Sequence, residues 1–136
     1  MDGDDNAQLL DALSAAIDGH FEELGEDRKI FFRGLRSLRD GKVEEASRVF
    51  RRAARRCERP FSTMARMAQG RCEVVRGHQG SAMRIFESVA DSEAPMQLRR
   101  LAWMEMADLA RRRGDEGLLE EARAAIEELV RPPTPQ

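Results

Sequence analysis

The chain has 136 residues, enough for one domain that buries roughly two-thirds of its unfolded surface. Hydrophobic residues make up 41%, charged residues 35% and aromatic residues only 5%, a balance that favours helix over sheet. No apolar run approaches the ~18 residues of a membrane span, the acidic start MDGDDNAQ is unlike a secretory signal, and two cysteines without CxxC spacing fit a reduced, cytoplasmic setting.

In chain order, residues 1–6 read as a disordered acidic N-terminus. A leading helix follows over 7–24, within a segment bounded at 7–26. It carries Leu10, Leu13, Ile17, Phe21 and Leu24 on one stripe, with Asp5 or Asn6 as cap and Gly25 as stop. Segment 28–39 places Ile30, Phe31, Leu35 and Leu38 at helical spacing, with Gly34 among them, and Asp40-Gly41 breaks it. Segment 42–57 has Val43, Ala46, Val49, Phe50, Ala53 and Ala54 as its apolar face and stops before Arg59-Pro60. Helices are expected again over 61–76, with Met64, Ala68, Cys72 and Val75, and over 78–91, with Ala82, Ile85, Phe86, Val89 and Ala90. The last two are 96–113, with Leu98, Leu101, Ala102, Met106 and Leu109, and 115–131. Residues 132–136 read as a disordered tail.

One pattern occurs twice. GKVEEASRVF at 41–50 and GHQGSAMRIF at 77–86 both place Ala five residues after a Gly, and Phe four further on. Gly34 likewise recurs as Gly70, and Ala53 as Val89, all 36 residues apart. Such a period signals helix pairs that bury their apolar faces by stacking on one another. The Gly closes a tight turn, the Ala admits close approach of the two helices, and the Phe is expected to fill the space between repeats.

These residues resemble the tetratricopeptide repeat family, whose pairs have a small residue within the first helix, a turn Gly, then an Ala, an aromatic and often a Pro. Gly34, Gly41, Ala46, Phe50, Ala53 and Pro60 match, as do Gly70, Gly77, Ala82, Phe86 and Pro95. Trp103, Ala107 and Gly114 fit a third, degenerate copy. The resemblance implies an all-α, right-handed superhelix of about seven helices, with an array over 27–131 divided into 27–60, 61–95 and 96–131. Arg33, Ser37, Gln69 and Glu73 depart from it, standing where the family has packing residues.

The resemblance also implies function: a non-enzymatic adaptor or scaffold that holds a peptide or helix of another protein in a groove lined by the first helix of each pair. Carried over, the groove candidates are Arg28, Phe31, Leu35, Met64, Met67, Arg71, Leu101, Met104, Glu105 and Asp108. The Lys, Asn and Arg clamp of the subfamily that binds chaperone C-termini is absent, since Phe31, Leu35, Ala68, Leu101 and Glu105 occupy those positions. The class II chaperones of type III secretion share the layout of a leading helix, three repeats and a final helix, but their grooves are Tyr-rich. A cargo chaperone, or a regulatory subunit whose acidic N-terminal helix covers the groove, is the alternative reading.

Charge is segregated. Residues 1–27 carry nine acids and no Lys or Arg, residues 28–113 sum to +11, and residues 114–136 to −4. Arg48, Arg51, Arg52, Arg55 and Arg59 form a basic patch at helical spacing, suited to carboxylates, unless Glu44, Glu45 and Glu58 neutralise it. Without Tyr, and with the single Trp elsewhere, the patch argues for an acidic protein segment over nucleic acid. Self-association is left open, and no cofactor or metal is expected. His20 and His78 stand apart, Cys72 lies on an apolar stripe, and Cys57 sits among arginines that could lower its pKa. Met64, Met67, Met83, Met96, Met104 and Met106 read either as core filling or as an adaptable binding surface.

Overall fold

The computed structural model describes residues 25–131 as six α-helices, with no strand among them: α1 Gly25–Arg39, α2 Val43–Arg56, α3 Phe61–Val75, α4 Gln79–Ala90, α5 Met96–Arg113 and α6 Glu116–Val130. The expected helix over 7–24 and the two chain ends lie outside the described residues. The other boundaries fall within one residue of expectation, except at the start of α1. Whether Gly25 also stops the expected leading helix lies outside the described residues. Gly25, Glu26 and Asp27 are helical, and the two acids suit the positive end of the helix dipole.

Three turns are built alike. In each, a Gly with positive φ follows a helix: Gly41 at 79°, Gly77 at 84° and Gly114 at 69°. The Gly N–H donates to the carbonyl three residues back, namely Leu38, Val74 and Arg111. The next N–H reaches five residues back, to Ser37, Glu73 and Ala110. This paired bonding satisfies two orphan carbonyls, and its left-handed residue favours Gly. The third turn therefore repeats the first two despite its degenerate sequence. After it, the Asp115 carboxylate accepts from the Leu118 N–H at 3.1 Å and caps α6.

The chain divides into two compact units, with the boundary between Ile85 and Phe86 inside α4. In the first unit, α1 packs on α2, α2 on α3, and α1 also meets α3. Phe31 is the hub. Its ring centroid lies 6.0 Å from Phe32, 5.9 Å from Phe50 on α2 and 5.8 Å from Phe61 on α3. Phe31, Phe50 and Phe61 are fully buried, as are Ala46 and Ala53. A Cβ added at Gly34 would stand 2.5 Å from Phe50 Cε1. Phe50 thus packs within its own hairpin, against Gly34 and against Phe31, the ring that also meets Phe61 on α3. Further on in register, Ala82, Phe86 and Val89 are also fully buried.

In the second unit α5 packs on α6. Leu98, Ala102, Met106 and Leu109 form the buried stripe of α5, whereas α6 buries only Ala122. Among the described residues, no helix is long and apolar enough to cross a membrane.

Candidate protein-binding surface

The amphipathic pattern of α2 sets its arginines outward. At 100° per residue, Arg48, Arg51, Arg52, Arg55 and Arg56 fall within an arc of about 140°, opposite Ala46, Phe50 and Ala53. All five are exposed, and together they line a shallow recess of about 260 Å³. Arg59 does not line it. It lies beyond the last residue of α2, so the helical spacing no longer governs where its side chain goes. Arg56 takes its place in the basic patch.

Of the carboxylates expected to neutralise this row, Glu44 is engaged elsewhere, and Glu45 and Glu58 make no ion pair with it among the described residues. Glu44 Oε1 is 3.1 Å from Arg76 Nε, and Glu58 follows the helix, its N–H donating to Asp27 Oδ2 at 2.9 Å. Among the described residues none of the five arginines makes an ion pair. Five like charges on fourteen residues repel one another. The helix tolerates them because its other face is anchored in the core and Arg55 and Arg56 meet the negative end of its dipole.

A second basic recess, of about 560 Å³, opens on α1, lined by Arg28, Lys29, Phe32, Arg33 and Arg36. Phe32 is half-buried and offers an apolar spot within this basic rim. Lys29 pairs with Glu26 at 3.4 Å, whereas Arg33 and Arg36 are exposed and make no ion pair among the described residues.

The expected groove fares differently. Phe31, Leu35, Met64, Met67 and Arg71 are all buried. For Phe31 the rings of Phe50 and Phe61, at 5.9 Å and 5.8 Å between centroids, are neighbours in that packing. Arg28 is half-buried at the rim of the α1 recess. Leu101, Glu105 and Asp108 are half-buried on α5, where Asp108 pairs with Arg111 and Arg112. Only Met104, at 45%, is an exposed apolar member of the set. Of the six methionines singled out, Met64, Met67, Met83 and Met106 fill the core, while Met96 and Met104 remain at the surface.

A charge network that the sequence does not reveal joins α2 to the end of α3. Glu73 is almost buried. Its Oε1 lies 3.1 Å from Arg76 Nη1 and its Oε2 lies 2.9 Å from His78 Nδ1. Arg76 in turn reaches Glu44. The Glu73 carboxylate is acceptable there because two cationic or hydrogen-bonding partners replace its water. This is a structural clamp on the turn.

The cysteines are inert. Burial, followed by the Asp27 charge and hydrogen bond, pushes the Cys57 thiol up to about 11. Burial first, and then Glu73, pushes Cys72 up to about 12. Neither forms a thiolate at neutral pH, so the lowering expected from the arginines beside Cys57 in sequence does not occur. Among the described residues no group of three or more His, Cys, Asp or Glu side chains could hold a metal ion.

Comparison of the chain with protein-family models, with curated proteins and with solved structures gives no significant match.

Proposed function

We propose that this protein is a non-enzymatic adaptor that binds an acidic segment of another protein along the arginine row of α2. The carrying observation is that five exposed arginines share one recess and, among the described residues, make no ion pair. A guanidinium row of this kind matches a partner helix or strand bearing carboxylates at repeated spacing. The 36-residue period and the three matching turns support a tetratricopeptide-like stack as its scaffold. On this reading the partner lies on the outer face of the second helix of the first pair, and the apolar residues of the first helices hold the scaffold together.

Exposed ion pairs are worth about 0–1 kcal/mol each, so the row contributes association rate and salt sensitivity more than raw affinity. The test is capture from native lysate with the wild type and with the Arg48→Glu/Arg52→Glu/Arg55→Glu variant, followed by binding at low and high salt. The wild type should retain an acidic partner that the variant loses and that salt weakens. A partner retained equally by both proteins would refute the assignment to α2.

A further inference from the structure

The α2 row faces away from the core, and the chain enters α1 beside the end of that row. The Asp27 carboxylate accepts from the Glu58 N–H at 2.9 Å, and Cys57 Sγ lies 3.9 Å from the Asp27 carbonyl oxygen. Cys57 and Glu58 directly follow α2, so the start of α1 stands at the Arg55–Arg56 end of the row. The sequence that leads into it is acidic. Residues 1–18 contain Asp2, Asp4, Asp5, Asp11 and Asp18 and no Lys or Arg. Against them stand five guanidiniums that make no ion pair among the described residues. Glu45, one turn before Arg48, marks the far end of the row, and Glu44 beside it is held by Arg76. Length does not limit the match. Arg48 to Arg56 spans about 12 Å along the helix axis, and a helix with its side chains is about 10–12 Å across. The 24 residues before Gly25 measure about 36 Å even at the helical rise of about 1.5 Å per residue.

We propose that residues 1–18, in the acidic segment before α1, lie over the α2 arginine row of their own chain and are displaced when another protein uses it. The occupant is this segment rather than a free acidic protein because it is tethered. Exposed pairs contribute little singly, so an untethered acidic chain holds the row weakly. A segment joined to the chain beside the row meets it at an effective concentration of about a millimolar. The cover is held by charge and is screened by salt. Its consequence for partner choice rests on the α2 reading above. A partner that offers only carboxylates exchanges one set of pairs for another, whereas one that adds further contacts displaces the segment.

The test is the rate at which the arginine reagent phenylglyoxal modifies each guanidinium of the full chain. It is read by peptide mass spectrometry at about 50 mM and about 500 mM salt. Arg100 and Arg113 on α5, both exposed, are the reference sites. In the wild type at low salt the five arginines of the row should react about five-fold more slowly, relative to the reference sites, than in Asp2→Asn/Asp4→Asn/Asp5→Asn/Asp11→Asn/Asp18→Asn. A circular dichroism melt checks that this variant folds, and the wild type at high salt should show the same release without any substitution. Protection should be equal at about 1 μM and about 100 μM protein, since a tethered segment does not respond to concentration. A polyglutamate of about 15 residues, the probe for the open row, should bind the variant about five-fold more tightly than the wild type at low salt. Equal rates in wild type and variant, slowing confined to Arg33 and Arg36 on α1, protection that grows with concentration and so comes from a second copy, or a probe held no more tightly by the variant would each overturn the proposal. The modification rates need no partner. Protection without a row-dependent partner would leave the cover standing and refute the adaptor reading, and a row-dependent partner without protection would do the reverse.

Discussion

Gly34→Ala offers the sharpest test of how α1 and α2 meet. An Ala in mid-helix is ordinarily favourable over Gly by about 1 kcal/mol. Here the new methyl would stand 2.5 Å from Phe50 Cε1 and 2.8 Å from Cδ1 and Cζ, well inside van der Waals contact. The ring cannot simply swing away, because Phe50 is fully buried with Phe31 tilted against it at 5.9 Å. Overpacking of this kind costs about 1–3 kcal/mol, and so direct a clash belongs at the upper end. Subtracting the helix gain leaves a net loss of about 2 kcal/mol. In a chain of this size that lowers the melting temperature by roughly 6–10 °C. The same substitution in a Phe50→Val background should change sign. All three clashing ring atoms are then gone, and the methyl partly refills the cavity, so Gly34→Ala should stabilise by about 1 kcal/mol. Urea titration of the four proteins gives the coupling energy directly, expected at about 2–3 kcal/mol. Additivity within about 0.5 kcal/mol would show that the two residues do not meet, and the helix-pair register would be wrong.

The remaining expectations concern charge and thiols. Glu73→Gln should destabilise by about 1–3 kcal/mol, since Arg76 and His78 lose a nearly buried carboxylate. Glu44→Gln, at the exposed end of the same network, should cost under about 1 kcal/mol by the same urea titration. Both thiols are held protonated by folding, with pKa values of about 11 and about 12 against 9.0 when free. Their contribution is thus complete below pH 9 and is lost as pH rises through those values. The urea midpoint should fall over that window more in the wild type than in Cys57→Ala/Cys72→Ala, and equal slopes would refute the assignment.

What could be read from the sequence was local. The turn glycines, the alanines and the phenylalanines recur because each serves a short-range need: a left-handed backbone, a close approach, a ring beside a small residue. The helix boundaries followed from the same signals, apart from the start of α1, which lies three residues earlier than expected. The binding face was harder to read, since Phe31, Met64 and Met67 sit at helical spacing whether they face a groove or a core. That all three are buried is a matter of tertiary packing, such as the Phe31–Phe61 ring pair, which spacing does not show. The arginine row was visible in its three-and-four spacing, but not its lack of ion pairs among the described residues, because Glu44 turns to Arg76, thirty-two residues away in sequence. Cys57 shows the same limit. Its neighbours along the chain are arginines, yet the charge that sets its behaviour is Asp27.

The three matching turns also bear on how the chain reaches this structure. Each reverses direction within a few residues, through backbone bonds that span no more than five positions. The packed pairs α1–α2, α2–α3 and α5–α6 all join elements adjacent in sequence. Little loop-closure entropy stands in the way of such contacts, and their low contact order belongs to the regime of folding in microseconds to milliseconds. During synthesis, at about 5–20 residues per second, the first hairpin would have seconds to close before the next had left the ribosome. The Gly34–Phe50 contact would then form on the nascent chain, and Phe31 would stand ready as the surface onto which Phe61 and α3 dock.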